Sequence, residues 1–221
     1  MNIFSRLEAI VGPKNVSIEQ ADLAKFGLDR TNIYCSNPRV IVFPTSIDQV
    51  QEVIFLANEL EIPIVPSGGR TGLSGGAVAS KSEIVLSMNK MNSILDVNLN
   101  DCTVTVEAGA TTQEVQEVAT KNGLFYPVNF ASVGSSQIGG NVATNAGGVN
   151  VIKYGMTRDW VLGITAVTGS GELLELNKSL IKNNTGYDFR HLFIGSEGTL
   201  GIICKVTLKL TEPPPPSSVF I

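Results

Sequence analysis

The sequence predicts an α+β protein: a small parallel β-α-β subdomain followed by a larger antiparallel sheet subdomain with flanking helices. Three observations lead there. Two apolar runs, Val40-Ile41-Val42-Phe43 and Ile62 to Val65, flank a helical repeat of apolar residues, and a crossover of that kind makes the two strands parallel. From about residue 92 the pattern changes to period two, as in antiparallel strands with one solvated face. Half of the 22 glycines fall in two windows, five from Gly68 to Gly76 and six from Gly134 to Gly155, and clustering of that kind marks a site.

Composition narrows the function classes. With 221 residues, 43% hydrophobic and 16% charged, the chain can bury a core and is not a disordered one. A net charge of −4 supplies no basic field, which disfavours nucleic acid as a partner. Cys35, Cys102 and Cys204 are odd in number, far apart and without a Cys-x-x-Cys, so neither a disulfide framework nor a structural zinc site is written. They are expected to be reduced, mostly buried intracellular thiols. Arg6 and Glu8 interrupt the apolar stretch at the N-terminus, and no run of about 18 apolar residues occurs, so a cytoplasmic chain with no transmembrane segment is expected.

Taken in order, Ile3, Phe4, Leu7, Ile10 and Val11 recur at helical spacing and Gly12-Pro13 ends the helix. Ser17-Ile18-Glu19-Gln20 reads as a capping box opening a second helix to about Phe26, with Gly27 as its C-cap. Residues 28–39 read as loop. After the first buried strand, Ser46-Ile47-Asp48-Gln49 reads as another capping box, and Ile47, Val50, Ile54 and Ala57 form one helix face. The second strand follows the Leu60-Glu61 turn.

At the C-terminal end of that strand stands Pro66-Ser67-Gly68-Gly69-Arg70-Thr71-Gly72-Leu73-Ser74-Gly75-Gly76. In open α/β sheets ligands bind at that end. Without Cβ atoms in the way, a Gly-rich turn can aim successive N–H groups at one anion. The stretch reads either as a phosphate or pyrophosphate cradle or as a long turn. It has no lysine, which excludes a Walker loop, and Ile84 to Met88 downstream reads as a strand, which excludes the dinucleotide fingerprint.

In the second part, Ile94 to Val97 and Thr103 to Glu107 alternate as strands. Thr111-Thr112-Gln113-Glu114 caps a helix through Val115, Val118 and Ala119 that stops at Asn122-Gly123. The second glycine window runs from Tyr126 to Gly148. Its small residues let backbone press against a flat ligand, while Ser135, Ser136, Asn141, Thr144 and Asn145 offer orientable donors and acceptors. A loop beyond about 12 to 15 residues without structure of its own tends to be functional when it is this apolar. Val161 to Thr168 and Gly171 to Leu176 read as a hairpin across Gly169-Ser170, and Ile202-Cys204-Val206-Leu208-Leu210 as a period-two strand. Trp160 reads as core. His191, after Asp188-Phe189-Arg190 and before apolar Leu192-Phe193, reads as a structural histidine.

Four motifs in order resemble the FAD-binding domain of the FAD-linked oxidases, the vanillyl-alcohol-oxidase or PCMH-type FAD-binding domain. They are the first glycine stretch, Gly134-Ser135-Ser136-Gln137-Ile138-Gly139-Gly140-Asn141-Val142-Ala143-Thr144-Asn145-Ala146-Gly147-Gly148, Lys153-Tyr154-Gly155-Met156-Thr157-Arg158, and Gly195-Ser196-Glu197-Gly198-Thr199-Leu200-Gly201-Ile202. That group includes glycolate oxidase and D-lactate dehydrogenase. Tyr126-Pro127-Val128 and Lys182-Asn183-Asn184-Thr185-Gly186-Tyr187-Asp188 most resemble the bacterial D-2-hydroxyglutarate dehydrogenases. The resemblance covers nearly the whole chain.

It implies FAD lying between two subdomains, residues 1–91 and 92–211, with residues 212–221 a linker to a substrate domain. The pyrophosphate would rest on Ser67, Gly68, Gly69, Arg70, Thr71 and Gly72, with Pro66, Leu73 and Ser74 of the same stretch also counted with the cofactor residues. The second window, from Pro127 through Gly148, would line the isoalloxazine and ribityl part, Pro127, Ala131, Ser132, Gly134, Ser135, Ile138, Asn145 and Gly148 being counted with the cofactor and Gly139, Gly140, Asn141 and Thr144 nearest. Glu197, Gly198, Gly201 and Ile202 would lie towards ribose and adenine. Tyr154 and Arg158 either touch flavin or phosphate or pack a turn, and Tyr154 is counted with the cofactor residues. Many relatives carry Arg at the position of Ser67 and Gly at that of Arg70, so a guanidinium has moved along the loop and can still offset pyrophosphate charge. The only histidine, His191, lies outside the glycine motifs, which implies non-covalent FAD.

The parent enzyme implied is a flavin-dependent D-2-hydroxy acid dehydrogenase, of D-2-hydroxyglutarate or D-lactate/glycolate type. It passes hydride from the substrate α-carbon to flavin and electrons on to a quinone or an electron-transfer flavoprotein. Catalytic residues and a divalent metal belong to the substrate domain, and none is assigned in this chain. Pro213-Pro214-Pro215-Pro216-Ser217-Ser218 reads as a stiff linker, so the chain is expected to be an inactive fragment. The alternatives are a stand-alone flavin-binding module and a UDP-N-acetylenolpyruvoylglucosamine reductase-like enzyme.

Overall fold

The computed structural model describes residues 2–31 and 33–215, in two sheets. The first is built from β1 (Val16–Ser17), β2 (Val40–Val42), β3 (Ile64–Ser67) and β4 (Ile84–Ser87) in the order β1-β2-β4-β3. Helix α1 (Ile3–Val11) turns Leu7 and Val11 into the core, and Gly12 ends it at φ 87°. Helix α3 (Ile47–Glu59) connects β2 to β3 and buries Val50, Val53, Ile54 and Ala57. The two strands run parallel, as the crossover demands, but they are not neighbours: β4 lies between them and pairs parallel with both. As the central strand it is buried at all four positions. Strand β3 also sits two residues later than the apolar run suggested. Pro66 pairs with Leu86 and Ser67 with Ser87, so the glycine stretch leaves the sheet only at Gly68.

Local capping signals have mixed outcomes. Thr111 forms the complete box: its hydroxyl accepts from Glu114 N at 3.2 Å while the Glu114 carboxylate accepts from Thr111 N at 2.7 Å. Ser46 accepts from Gln49 N, but Gln49 reaches back to Thr45 N instead of Ser46 N. Ser17 caps nothing in this way. It belongs to β1, paired with Ile41, and α2 (Gln20–Phe26) starts after Glu19 without a side-chain cap.

Between Ser87 and Ile94 the chain passes to the second sheet. It comprises β5 (Ile94–Asn98), β6 (Thr103–Glu107), β7 (Val161–Thr168), β8 (Leu173–Leu176) and β9 (Gly201–Lys209), in the order β5-β6-β9-β7-β8, antiparallel throughout. Helix α4 (Thr112–Lys121) stops at Asn122, before Gly123 at φ 70°. One hydrophobic core runs through both sheets, joining Val42, Val53 and Leu86 to Val106, Val115, Ile138 and Val206. The second glycine window carries helices of its own, α5 (Ile138–Ala143) and α6 (Val151–Tyr154), where the sequence suggests only a long loop. After the β7–β8 hairpin, residues 177–193 fold over the free end of β7, ending in α7 (Arg190–Phe193). Carbonyls of Val161 and Leu162 accept from Arg190, and Leu162 also from Asn177.

Cysteine burial departs from expectation. Cys204 is fully buried, Cys102 half-buried and Cys35 exposed, all three free. Burial pushes the Cys204 thiol up to about 12. Iodoacetamide at neutral pH is expected to alkylate Cys35 in the native chain and Cys204 only after unfolding; peptide mapping that finds Cys204 modified first would contradict this burial. Among the described residues no helix is long and apolar enough to cross a membrane. Pro213 to Pro215 are exposed, while Pro216, Ser217 and Ser218 of the expected linker lie outside the described residues.

Candidate functional site

A cleft of about 460 Å³ opens where the C-terminal end of β3 faces α5 and the start of β9. That size suits an organic ligand. Its first wall is the turn after Ser67. Among the described residues, the backbone N–H groups of Gly69 through Ser74 donate to no protein acceptor, in a turn whose residues line the cleft. Arg70 takes the left-handed conformation, φ 56°. Its guanidinium lies 4.3 Å over the Phe26 ring and donates to the Gly68 carbonyl at 2.7 Å. It is therefore not a solvated loop side chain, and burial holds it below the ordinary arginine value. A cationic group and a run of unpaired donors make this wall attractive to an anion.

The second wall is mainly backbone. Gln137 enters α5, and its Nε2 donates to Asn89 Oδ1 at 2.8 Å, while its buried Oε1 has no partner among the described residues. Gly139 packs so closely on Ala108 that a Cβ would lie 2.6 Å from that methyl. Gly140, one residue on, would carry its Cβ into open space, with nothing within 4 Å. The polar side chains of this window mostly hold the window itself. Asn141 Nδ2 donates to Thr112 Oγ1 at 2.7 Å, Ser136 Oγ lies 2.8 Å from the same hydroxyl, and Thr144 Oγ1 donates to the Gly140 carbonyl. The third side comes from the turn before β9, where Gly198 at φ 79° presses on Pro66 and Glu197 N donates to the Ala143 carbonyl.

Of the residues expected at the cofactor, the cleft brings together Pro66 through Ser74, Ser132, Gly139, Gly140, Asn141, Thr144, Glu197, Gly198, Gly201 and Ile202. Pro127, Ala131, Gly134, Ser135, Ile138, Asn145, Gly148 and Tyr154 do not line it. Ile138 is core; Tyr154 stacks edge-on with Phe125 and Trp160, and its carbonyl accepts from the Trp160 indole. Asn145 accepts from Arg158 N, and Arg158 donates to the Ile194 carbonyl, so both pack a turn. His191 lies outside the cleft, 3.5 Å from Asp188. Phe130 and Gln137, within the second glycine window, also line the cleft, while Asp29, Met88, Ala108 and Ile203 line it from outside the stretches expected at the cofactor. Phe130 and Gln137 were within reach of sequence reasoning through that window; Asp29, in a stretch that reads as plain loop, carries no such signal.

The family model described as "FAD binding domain" matches residues 38–177. The chain is 55% identical to a D-2-hydroxyglutarate dehydrogenase of Xanthomonas citri pv. viticola, over 97% of this chain and 46% of that protein. It is 42% identical to a D-lactate dehydrogenase of Anaerostipes hadrus, over 95% of this chain and 44% of that one. Among solved structures, an alkyldihydroxyacetonephosphate synthase superposes with a TM-score of 0.85 at 25% identity, over 96% of this chain and 41% of the other. The chain thus spans under half the length of the curated relatives it matches.

Proposed function

The chain belongs to the FAD binding domain family, and on that premise we propose that it is the cofactor-holding part of a flavin-dependent 2-hydroxy acid dehydrogenase, with its FAD bound non-covalently. The observation that carries this reading is the run of N–H groups from Gly69 to Ser74, free of acceptors among the described residues and set in a cleft wall. Such a run suits a pyrophosphate, whose oxygens accept from several N–H groups at once. Two further facts support FAD. The open space beside Gly140 leaves room for a ring system against bare backbone, and Glu197 at the far end offers acceptor oxygens to ribose hydroxyls. Among the described residues no histidine or cysteine lines the cleft.

FAD, when bound, supplies a hydride acceptor for the α-carbon of a 2-hydroxy acid. This chain's own residues bind and orient it: the first turn carries charge, α5 presents a flat backbone surface, and the 194–200 turn closes one end. We assign residues 1–91 and 92–211 to the two cofactor-binding subdomains and the rest to a linker. Substrate grip, and any divalent metal, we assign to the remaining length that the relatives have. Among the described residues no cluster of His, Cys, Asp and Glu could hold a metal. A quinone or an electron-transfer flavoprotein is the proposed electron acceptor.

Titrating the purified chain with FAD tests the reading. Saturable one-to-one quenching of flavin fluorescence is expected, with all flavin released on acid denaturation. An unchanged spectrum would refute the cofactor assignment, and flavin retained by the precipitate would refute its non-covalent form.

A further inference from the structure

The first cleft wall is held from outside by a segment that the family match, starting at residue 38, does not include. Asp29 is buried, 7% exposed, and its two carboxylate oxygens do different things. Oδ2 accepts from Gly75 N at 2.8 Å, at the distal end of the glycine turn. Oδ1 accepts from Thr31 N at 2.9 Å and Thr31 Oγ1 at 2.6 Å. Gly75 itself is left-handed, φ 82°, and Tyr34 covers it so closely that a Cβ would lie 2.6 Å from the ring. Main-chain bonds complete the attachment: Ala79 N donates to the Gly27 carbonyl and Asn37 N to the Ala79 carbonyl. At the proximal end Phe26, packed with Ile41, Ala79 and Val85, carries the Arg70 guanidinium on its face.

We propose that the segment carrying Phe26, Asp29 and Tyr34 is a clamp that sets the shape of the cofactor turn, with Asp29 as its positioning residue. The physical reason is conformational. Six consecutive N–H groups, Gly69 to Ser74, donate to no acceptor among the described residues and so have nothing of their own to hold them on one side. A turn so rich in glycine has high chain entropy when loose, and ordering it on ligand binding would cost affinity. Asp29 and Phe26 fix its two ends beforehand. The acid does this without opposing an anion, because its oxygens are occupied by the donors of Gly75 and Thr31 and not turned loose on the cleft.

The inference rests on the FAD reading for its second consequence only. Asp29→Asn is the informative variant, since an amide has one acceptor oxygen where the carboxylate uses two and presents N–H to Gly75 N–H. Val53→Ala, remote in α3 and fully buried, serves as a control for general loss of stability. Amide hydrogen exchange of the ligand-free chain is expected to quicken at least about tenfold at Gly75, Val78 and Ala79 in Asp29→Asn while β4 is unchanged, and FAD affinity to fall by at least about tenfold, as for loss of a hydrogen bond to a charged group. Val53→Ala should show neither effect. Unchanged exchange at Gly75 overturns the clamp, as does an equal loss of FAD affinity in both variants. If the unaltered chain binds no FAD, the cofactor reading falls, and the clamp stands or falls on the exchange at Gly75 alone.

Discussion

Gly140→Val is expected to yield a folded chain that has lost FAD. A Cβ on Gly140 meets nothing within 4 Å and Gly140 lines the cleft, so a branched side chain there is expected to project into it beside α5. The backbone is helical at this position, where valine is no worse than glycine, so stability should hold. Binding is another matter. A flat ligand pressed on bare backbone must move off by the thickness of the new side chain, and overpacking of that kind costs about 1 to 3 kcal/mol, on the order of a hundredfold in affinity at its upper end. Thermal unfolding matched to the parent, together with a FAD titration, reads the two effects separately. Normal affinity in the variant would remove the second wall from the site.

The same substitution one wall away should do the reverse. In Gly69→Val the new Cβ overlaps the Ser135 carbonyl oxygen and comes within 3.0 Å of Ser136 Cα, because the first turn and the second window touch backbone to backbone at this point. Backbone cannot rotate aside as a flexible side chain does. The expected result is a loss of about 3 kcal/mol of folding stability, measured by urea unfolding, with the midpoint shifted well below that of Gly140→Val. Parent-like stability would show that the two glycine windows are not pressed together. The pair of variants thus separates a glycine kept for a ligand from a glycine kept for the fold, a distinction that both residues' presence in Gly-rich motifs conceals.

Much of the fold was legible because its signals are local. The capping box at Thr111 forms in full because both of its hydrogen bonds lie within four residues. The β7–β8 hairpin follows from its Gly169-Ser170 turn, and the alternation in β9 from side-chain period. Helix α5 was hidden for the opposite reason. Its glycines have poor helix propensity, and it is held by long-range bonds, Ile138 N to the Ala110 carbonyl and Gly139 N to the Ala108 carbonyl. Ser17 carries every local sign of a cap, yet pairing with β2 takes it into a strand.

By itself the sequence determined that there are two glycine windows, that the first follows a parallel strand, and that the chain resembles the FAD-linked oxidases. Those properties are written residue by residue, in glycine spacing and hydrophobic period. Only the tertiary structure decided that β4 enters between β2 and β3, that Gly69 serves packing while Gly140 faces the cleft, and that Asp29 holds a turn far ahead of it in sequence. The physical reason is the same in each case. What a backbone group or a missing Cβ faces depends on segments distant in the chain, and that information exists only once those segments have packed.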